Sequence, residues 1–513
     1  MPVKQAHTKR IAKNTLVLYF RMLFLMAISL YTSRVILETL GVENFGVYNV
    51  VGGFVAMFAV LNKSLSSACS RFLNYMMGRN DPEKLSKVFS TSVVIHLGMA
   101  FLVAVLCEIV GTWFLDEKMV IDVSRVNAAH WVLHFSILTF AINLISVPYN
   151  AAIIAHERMK TFAYVSLYEG IAKLGISFLI LVSPIDSLIF YAALLCLLQL
   201  SVRFLYQYYC RKSFEECRLK FIYDKTLLKE LVSFAGWNFI GSSSAILRNH
   251  GGNVLVNLFF GPVANAARAV ANQVLHAVEG FVSNFMTAVK PQITQSYASG
   301  DRAFMMSLIY KSARLSYYML LFLSLPILLN TDFLLHLWLK SVPQNSVVFV
   351  QLTLAFSMVE SLSHPLVTAQ QATGNIRNYQ IVVGGLQLLN LPISYLVYKM
   401  GGPAESFLIV AICCSIACLA ARLFMLRYSI KLDSLNFIKK VIFNVVIVTF
   451  LAAIGPYAVR LYFGETFFAF VCVSLVSLLS AGVVILLVGC EKEERALVFS
   501  LVKKIKKKLF CRE

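Results

Sequence analysis

Charged residues are scarce in this chain. They make up 14% of its 513 residues, whereas a soluble domain carries roughly 25%. Hydrophobic residues make up 58%, and the mean hydropathy is +0.73. Such a composition supplies too few polar groups to cover a folded surface in water. The sequence therefore excludes a soluble globular protein and predicts a membrane protein.

Catalytic and nucleotide-binding motifs are also missing from the sequence. It contains no phosphate-binding P-loop, no metal-ligand spacing and no nucleophile elbow. The longest connection between apolar stretches, 208–230, has only about 23 residues, which is too short for a catalytic domain. We therefore expect no enzyme activity, no cofactor, no metal and no use of ATP.

Long apolar stretches fill most of the chain instead. About 20 apolar residues in a helix cross the hydrocarbon core of a bilayer, and fourteen stretches meet that length. They predict an all-α polytopic membrane protein with these spans: 15–38, 46–76, 88–114, 127–155, 161–183, 187–208, 232–258, 264–296, 304–329, 345–373, 378–399, 405–427, 439–460 and 467–489.

The basic residues between these spans are distributed unevenly. With the N-terminus inside, about 29 Lys and Arg residues fall in cytoplasmic segments and about 5 in external ones. We therefore expect both termini in the cytoplasm. This bias explains the net charge of +20 without a nucleic-acid partner. The basic tail 491–513 is expected to lie on anionic membrane lipids.

Short motifs recur at a nearly constant offset. Gly41 joins spans 1 and 2, and Gly261 joins spans 7 and 8. Asp81 follows span 2, and Asp301 follows span 8. The two residues of each pair are 220 positions apart. Pro148 and Pro365, in the predicted spans 4 and 10, are 217 positions apart. The repeats predict two six-helix bundles of equal orientation, the parallel-repeat architecture of alternating-access transporters.

The repeat defines the expected domains. We predict an N-lobe at 1–210, a cytoplasmic linker at 211–230 and a C-lobe at 231–430, followed by two further spans within 431–490 and the tail at 491–513.

Basic residues outnumber acidic ones inside the predicted spans. Away from the span ends, twelve bases fall there against four acids, Glu108, Glu169, Glu279 and Glu360. Glu169 and Lys173 are four positions apart on one helix, which predicts a local ion pair. Because an embedded charge is costly, the excess of bases indicates an anionic cargo.

Seven embedded bases are the candidate cargo-binding residues. Lys63 and Arg248 lie near mid-membrane, and three more lie in the cytoplasmic leaflet. The full set is Arg21, Arg34, Lys63, Arg71, Arg248, Arg268 and Lys290. We expect five of them to converge on water between the two lobes: Arg21, Lys63, Arg71, Arg248 and Lys290.

Two further pairs of residues are candidates for roles in proton coupling and in helix bending during transport. Glu108 and Glu360 are candidates for proton coupling, because they are carboxyl groups within the membrane. Pro148 and Pro365 each free a backbone carbonyl and bend a helix, which favours a flex point at each.

Several motifs resemble those of a known family. The chain is similar to bacterial Wzx-type polysaccharide flippases, and the resemblance covers essentially its whole length. The motifs that carry it are Leu30-Tyr31-Thr32-Ser33-Arg34, Leu40-Gly41-Val42, Phe45-Gly46-Val47-Tyr48, Val50-Val51-Gly52-Gly53, Val147-Pro148-Tyr149-Asn150-Ala151-Ala152, His156-Glu157-Arg158-Met159 and Gln370-Gln371-Ala372-Thr373-Gly374-Asn375.

This resemblance implies membership of the multidrug/oligosaccharidyl-lipid/polysaccharide (MOP) exporter superfamily, with two six-helix bundles in a V around a cavity. It implies a flippase of the bacterial inner membrane, which moves an oligosaccharide linked to polyprenyl (pyro)phosphate from the cytoplasmic to the outer leaflet. Glycosyltransferases and a polysaccharide polymerase are the further partners that it suggests.

Two other functions remain open. A drug or cation antiporter of the same fold needs acidic groups that face a cation, and the sequence is poor in embedded acids. A membrane-bound glycosyltransferase or polymerase needs catalytic acids in a large loop, and the short connections disfavour it.

Overall fold

A computed structural model describes residues 2–117, 123–219, 224–339, 342–463, 466–491 and 494–496. Within these ranges the regular structure is helical and contains no strand, so the prediction of an all-α protein is confirmed. The α-helices are α1 Pro2–Ala56, α2 Ala59–Arg79, α3 Pro82–Glu117, α4 Val126–Ala155, α5 Met159–Leu179, α6 Ser187–Ser213, α7 Lys225–Ala298, α8 Arg302–Leu329, α9 Thr331–Trp338, α10 Ser346–Ser361, α11 His364–Thr373, α12 Arg377–Leu388, α13 Asn390–Lys399, α14 Ser406–Ser429, α15 Ser434–Phe437, α16 Phe443–Phe463 and α17 Phe467–Val484.

Eleven helices in the described ranges are long and apolar enough to cross a membrane, or up to twelve if the bent pair Gly46–Val55 and Ala59–Arg79 is one span. Each of these twelve matches a predicted span. The other two predicted spans, 232–258 and 264–296, both fall within α7, which is helical but is not among the apolar spans. The prediction of a polytopic membrane protein is confirmed.

The surfaces of these helices carry large apolar side chains that no protein covers. Phe101 is 73% exposed, Phe204 is 65% exposed and Phe450 is 69% exposed. Exposed apolar surface of this extent is costly in water and is favourable against lipid. The shortage of charge in the sequence is therefore explained by helices that face the bilayer.

Backbone geometry supports the internal repeat. Gly41 breaks α1 with φ 78° and ψ 164°, and Gly261 breaks α7 with φ 74° and ψ −169°. A side chain would be strained in this left-handed region, so glycine suits both breaks. The following turns match as well, because Asn80 has φ 53° and Gly300 has φ 82°. Equivalent local conformations thus recur 220 positions apart.

The chain forms two compact units. Unit 1 comprises Met1–Ser243, Thr287–Met305 and Gln371–Gln380; unit 2 comprises Ser244–Met286, Met306–Gln370 and Ile381–Glu513. The core of unit 1 contains the fully buried Phe89 of α3 and Tyr149 of α4, whose ring centroids are 5.2 Å apart. The predicted lobe boundaries at 210 and 231 stay a prediction.

The two prolines occupy different helix positions. Pro148 lies inside α4, which continues past it without a break. Pro365 is the second residue of α11, directly after the interruption at Leu362 and Ser363 that separates α10 from α11. The interruption thus directly precedes Pro365, within the span Ser346–Thr373, while flexing at either proline stays a prediction.

We expect reporter fusions to place both termini in the cytoplasm. A reporter at position 220 should be active inside, because that connection is rich in Lys and Arg, and one at position 120 should be active outside. The opposite result at either position would overturn the assignment of the spans to the two sides.

Candidate functional site

Two lysines in unit 1 form the centre of the candidate site. Lys63 lies in α2, Lys290 lies in the second part of α7, and their ammonium groups are close enough to repel each other. Both side chains are exposed, although their neighbours Ser64, Leu65 and Val289 are buried. No hydrogen bond or ion pair involves either ammonium group in the part of the chain that the structure describes. Two adjacent positive charges without an acid attract an anion.

Arg21 is only partly available to a ligand. Its guanidinium lies 4.4 Å from the centroid of Phe162, and its NH1 donates to Ser166 Oγ at 3.1 Å. Glu169 attracts the same guanidinium and also pairs with Lys173 at 2.6 Å. The predicted local ion pair between Glu169 and Lys173 is thus confirmed, and Arg21 lies beside it.

Arg34 is an exposed residue near the end of the first span. Its Nε forms an ion pair with Glu38 Oε1 at 2.9 Å, one helical turn away, with 76% and 62% of the two side chains exposed. Exposed pairs of this kind contribute little to stability, so this arginine could exchange its partner.

Arg71 contacts the protein rather than open space. Its guanidinium lies 4.4 Å from the ring centroid of Phe72 and 4.7 Å from that of Tyr75. Its NH2 donates to the carbonyl oxygen of Ala372 at 3.1 Å, at the C-terminal end of α11. Gly374 makes this approach possible, because a Cβ there would lie 2.5 Å from the same NH2.

A buried carboxylate that we did not predict lies between α4 and α5. Glu157 has a left-handed φ of 55° and is 6% exposed. Arg10 Nε forms an ion pair with its Oε2 at 2.7 Å, and Gln292 Nε2 donates to its Oε1. Burial raises the pKa of the Glu157 carboxyl, and the charge of Arg10 opposes this shift.

The contact at Arg71 has a counterpart in the other repeat. Gln295 Nε2 donates to the carbonyl oxygen of Ala155 at 3.0 Å. In the same way, Arg71 NH2 donates to the carbonyl oxygen of Ala372. These two alanines are 217 positions apart, the same offset that relates the two prolines. Two residues beyond each alanine the backbone is left-handed, at Glu157 and at Gly374. Equivalent turns are therefore held by side chains from α7 and α2 respectively.

We call these contacts the clasp. It consists of Arg71 with Ala372, Gln295 with Ala155, and Glu157 with Arg10 and Gln292. All seven residues belong to unit 1, and the predicted topology places their turns on the cytoplasmic side. The backbones also meet nearby, because a Cβ at Gly78 would collide with the carbonyl oxygen of Gln295.

Arg248 and Arg268 belong to unit 2, where aromatic rings cover them. Arg248 is 8% exposed and lies 4.9 Å from the centroid of Phe356; Arg268 is 4% exposed and lies 4.3 Å from that of Phe407. The prediction that these two, with the residues of unit 1, contact one cargo stays a prediction.

The two acids proposed for proton coupling each contact a base. Glu108 Oε1 lies 2.6 Å from His134 Nδ1 in unit 1. Glu360 in unit 2 accepts from Ser415 Oγ at 2.6 Å and lies 3.5 Å from Arg422 NH2. Their role in coupling stays a prediction.

Solved structures share this fold. The outward-facing form of a multidrug resistance MATE family transporter of the MOP superfamily aligns with a TM-score of 0.71 at 11% identity, over 82% of this chain and 96% of that one. A MOP superfamily transporter from Pyrococcus furiosus Vc1 (DSM3638), described as having a binding pocket of reverse polarity, aligns with a TM-score of 0.68 at 11% identity, over 82% and 96% of the two chains. The fold is therefore that of MOP transporters.

Sequence comparison identifies the family of the chain. The uncharacterized membrane protein EpsK of Bacillus subtilis (strain 168) is 22% identical over 303 residues, which are 57% of this chain and 58% of that protein. The chain thus spans less than two thirds of this relative's length. The model of the family described as "Polysaccharide biosynthesis protein" matches residues 11–297, more than half of the chain. The chain therefore belongs to the polysaccharide biosynthesis protein family.

Proposed function

We propose that this protein is a flippase, which moves an oligosaccharide linked to polyprenyl (pyro)phosphate from the cytoplasmic to the outer leaflet of the bacterial inner membrane. The observation that carries the proposal is the exposed pair of Lys63 in α2 and Lys290 in α7, which has no acidic partner among the described residues. Membership of the polysaccharide biosynthesis family supports the same cargo.

The chemistry of the lysine pair suits a diphosphate. Repulsion between two ammonium groups in a region of low dielectric is relieved when a ligand brings two or more negative charges between them. Lysine supplies compact point charges with three donors each, which adapt to phosphate oxygens as the ligand moves. Arg21, whose guanidinium already takes one hydrogen bond to Ser166, would flank this site.

The clasp would control access from the cytoplasm. Its contacts close the ends of α2 and α7 against two turns that the predicted topology places on that side. We infer that these contacts break when cargo binds and form again after release, as alternating access requires. The exposed apolar helix surfaces would leave the polyprenyl chain in the bilayer during the movement.

A drug or cation antiporter is the alternative that the shared fold raises. Such a protein needs a carboxylate free to hold a cation. Three of the four embedded acids already contact a base: Glu108 contacts His134, Glu169 pairs with Lys173, and Glu360 lies near Arg422. The lysine pair would moreover repel a cation, so the flippase is the better match.

Proteoliposomes provide the test. Purified full-length protein should move a fluorescent oligosaccharide linked to polyprenyl diphosphate between leaflets, measured as the fraction that external dithionite bleaches. Protein-free liposomes supply the background. Transport of a lipophilic cation such as ethidium, with no movement of the lipid-linked sugar, would favour the antiporter and refute the flippase.

A further inference from the structure

Three arginines and one glutamate meet in the interior of unit 2. Arg422 is 2% exposed; its NH1 donates to Ser363 Oγ at 2.8 Å, and its NH2 lies 3.5 Å from Glu360 Oε1. Glu360 also attracts Arg248, and Arg248 in turn repels Arg268. Three positive charges share this one carboxylate, so the group keeps an excess of two buried positive charges, which we assign to Arg248 and Arg268.

Arg268 follows the break at Gly261, and its guanidinium lies against the earlier part of α7, which carries Arg248. Arg268 NH2 donates to the carbonyl oxygen of Asn249 at 3.1 Å. Its NH1 lies 2.5 Å from the position that a Cβ of Gly252 would occupy, which is closer than a real Cβ contact allows. Gly252 is four residues from Arg248, so the two positions are neighbours on the helix surface. The absence of a side chain at Gly252 leaves room for the guanidinium beside Arg248.

Most N–H donors of this pair lack an acceptor. Each guanidinium carries five donors. Within the described ranges Arg268 makes one hydrogen bond and its NH1 has no partner, and no hydrogen bond or ion pair is formed by Arg248. Unsatisfied donors on buried charged groups are costly. A ligand that accepts several hydrogen bonds and carries negative charge would relieve both costs.

We propose that Arg248 and Arg268 bind a small inorganic anion inside unit 2. Phe356 and Phe407 cover the two guanidinium groups, and Arg248 and Arg268 are only 8% and 4% exposed. A site this closed to the surface suits an inorganic ion rather than a sugar-bearing headgroup. The anion is therefore distinct from the flippase cargo that we assign to Lys63 and Lys290. A bound anion would offset the excess positive charge of this group of arginines, whether or not the protein carries that cargo.

Thermal unfolding of the purified full-length protein tests this site. At equal ionic strength, chloride or inorganic phosphate should raise Tm by roughly 2 °C or more relative to gluconate, because a ligand that binds only the folded state stabilises it. Arg268→Gln and Arg248→Gln should each remove most of this difference. Arg427→Gln, which removes an exposed arginine from α14, should retain it.

The outcomes separate this proposal from its competitors. Equal Tm values in chloride, phosphate and gluconate would show that water satisfies the donors, and would overturn the anion site. An anion-dependent rise that survives in both glutamine variants would place the anion elsewhere and would overturn it too. Neither result bears on the movement of lipid-linked sugar in proteoliposomes, so failure of the flippase proposal is recognised independently.

Discussion

Replacing Lys290 by glutamate is expected to abolish polysaccharide export. The change places a negative charge against the diphosphate in the lysine pair, which costs several kcal/mol. Since about 1.4 kcal/mol corresponds to a factor of ten, flipping should fall on the order of 100-fold or more. Lys63→Glu should act in the same direction, because it converts the repelling pair into an ion pair with no net charge. Both effects are measured as lipid-linked sugar moved in proteoliposomes.

Matched variants make this result specific. Lys290→Arg keeps the positive charge and should retain a substantial part of the activity. Lys84→Gln, which removes a side chain that is 66% exposed and pairs with Asp81 in the turn after α2, should leave export near normal. Membrane abundance should be similar for all four proteins. Full activity of both glutamate variants would eliminate the lysine pair as the cargo site.

A disulfide across the clasp is expected to stop transport reversibly. Gln295 Nε2 donates to Asn74 Oδ1 at 3.2 Å, and one turn away a Cβ at Gly78 would lie only 2.8 Å from Gln295 Cα. This close approach of the two backbones makes Asn74 and Gln295 the positions of choice for paired cysteines. Oxidation of the Asn74→Cys/Gln295→Cys protein should hold α2 against the end of α7 and reduce flipping to the background of protein-free liposomes. Reduction with dithiothreitol should restore it.

The single variants control for the loss of the amide contact. Asn74→Cys alone and Gln295→Cys alone should respond little to oxidant, although ten cysteines in the described ranges are free. Activity of the double variant that persists when gel analysis shows complete cross-linking would mean that this contact need not open. The clasp would then be a permanent structural contact, and cargo would require another route.

The site could be predicted only in part. The sequence placed Lys63 and Lys290 among seven candidates, because bases within apolar stretches are recognisable without a structure. It could not separate the exposed Lys290 from the buried Arg268, since both lie on α7 and differ only in what packs against them. The clasp went unpredicted. Glu157 stands in a short charged turn, which is indistinguishable in sequence from any cytoplasmic connection.

The sequence by itself determined the helical class, twelve of the membrane spans and the repeat. Each of these depends on local properties: the length of an apolar run, the charge of a loop, or a glycine or asparagine at a left-handed turn. The sequence also identified the local pair of Glu169 and Lys173, but only the tertiary structure decided the partners of the other embedded charges. Those partners include groups distant in the chain, as with Arg71 and Ala372, which are 301 positions apart. The free energy of a buried charge depends on the groups that folding places around it, and no local pattern specifies them.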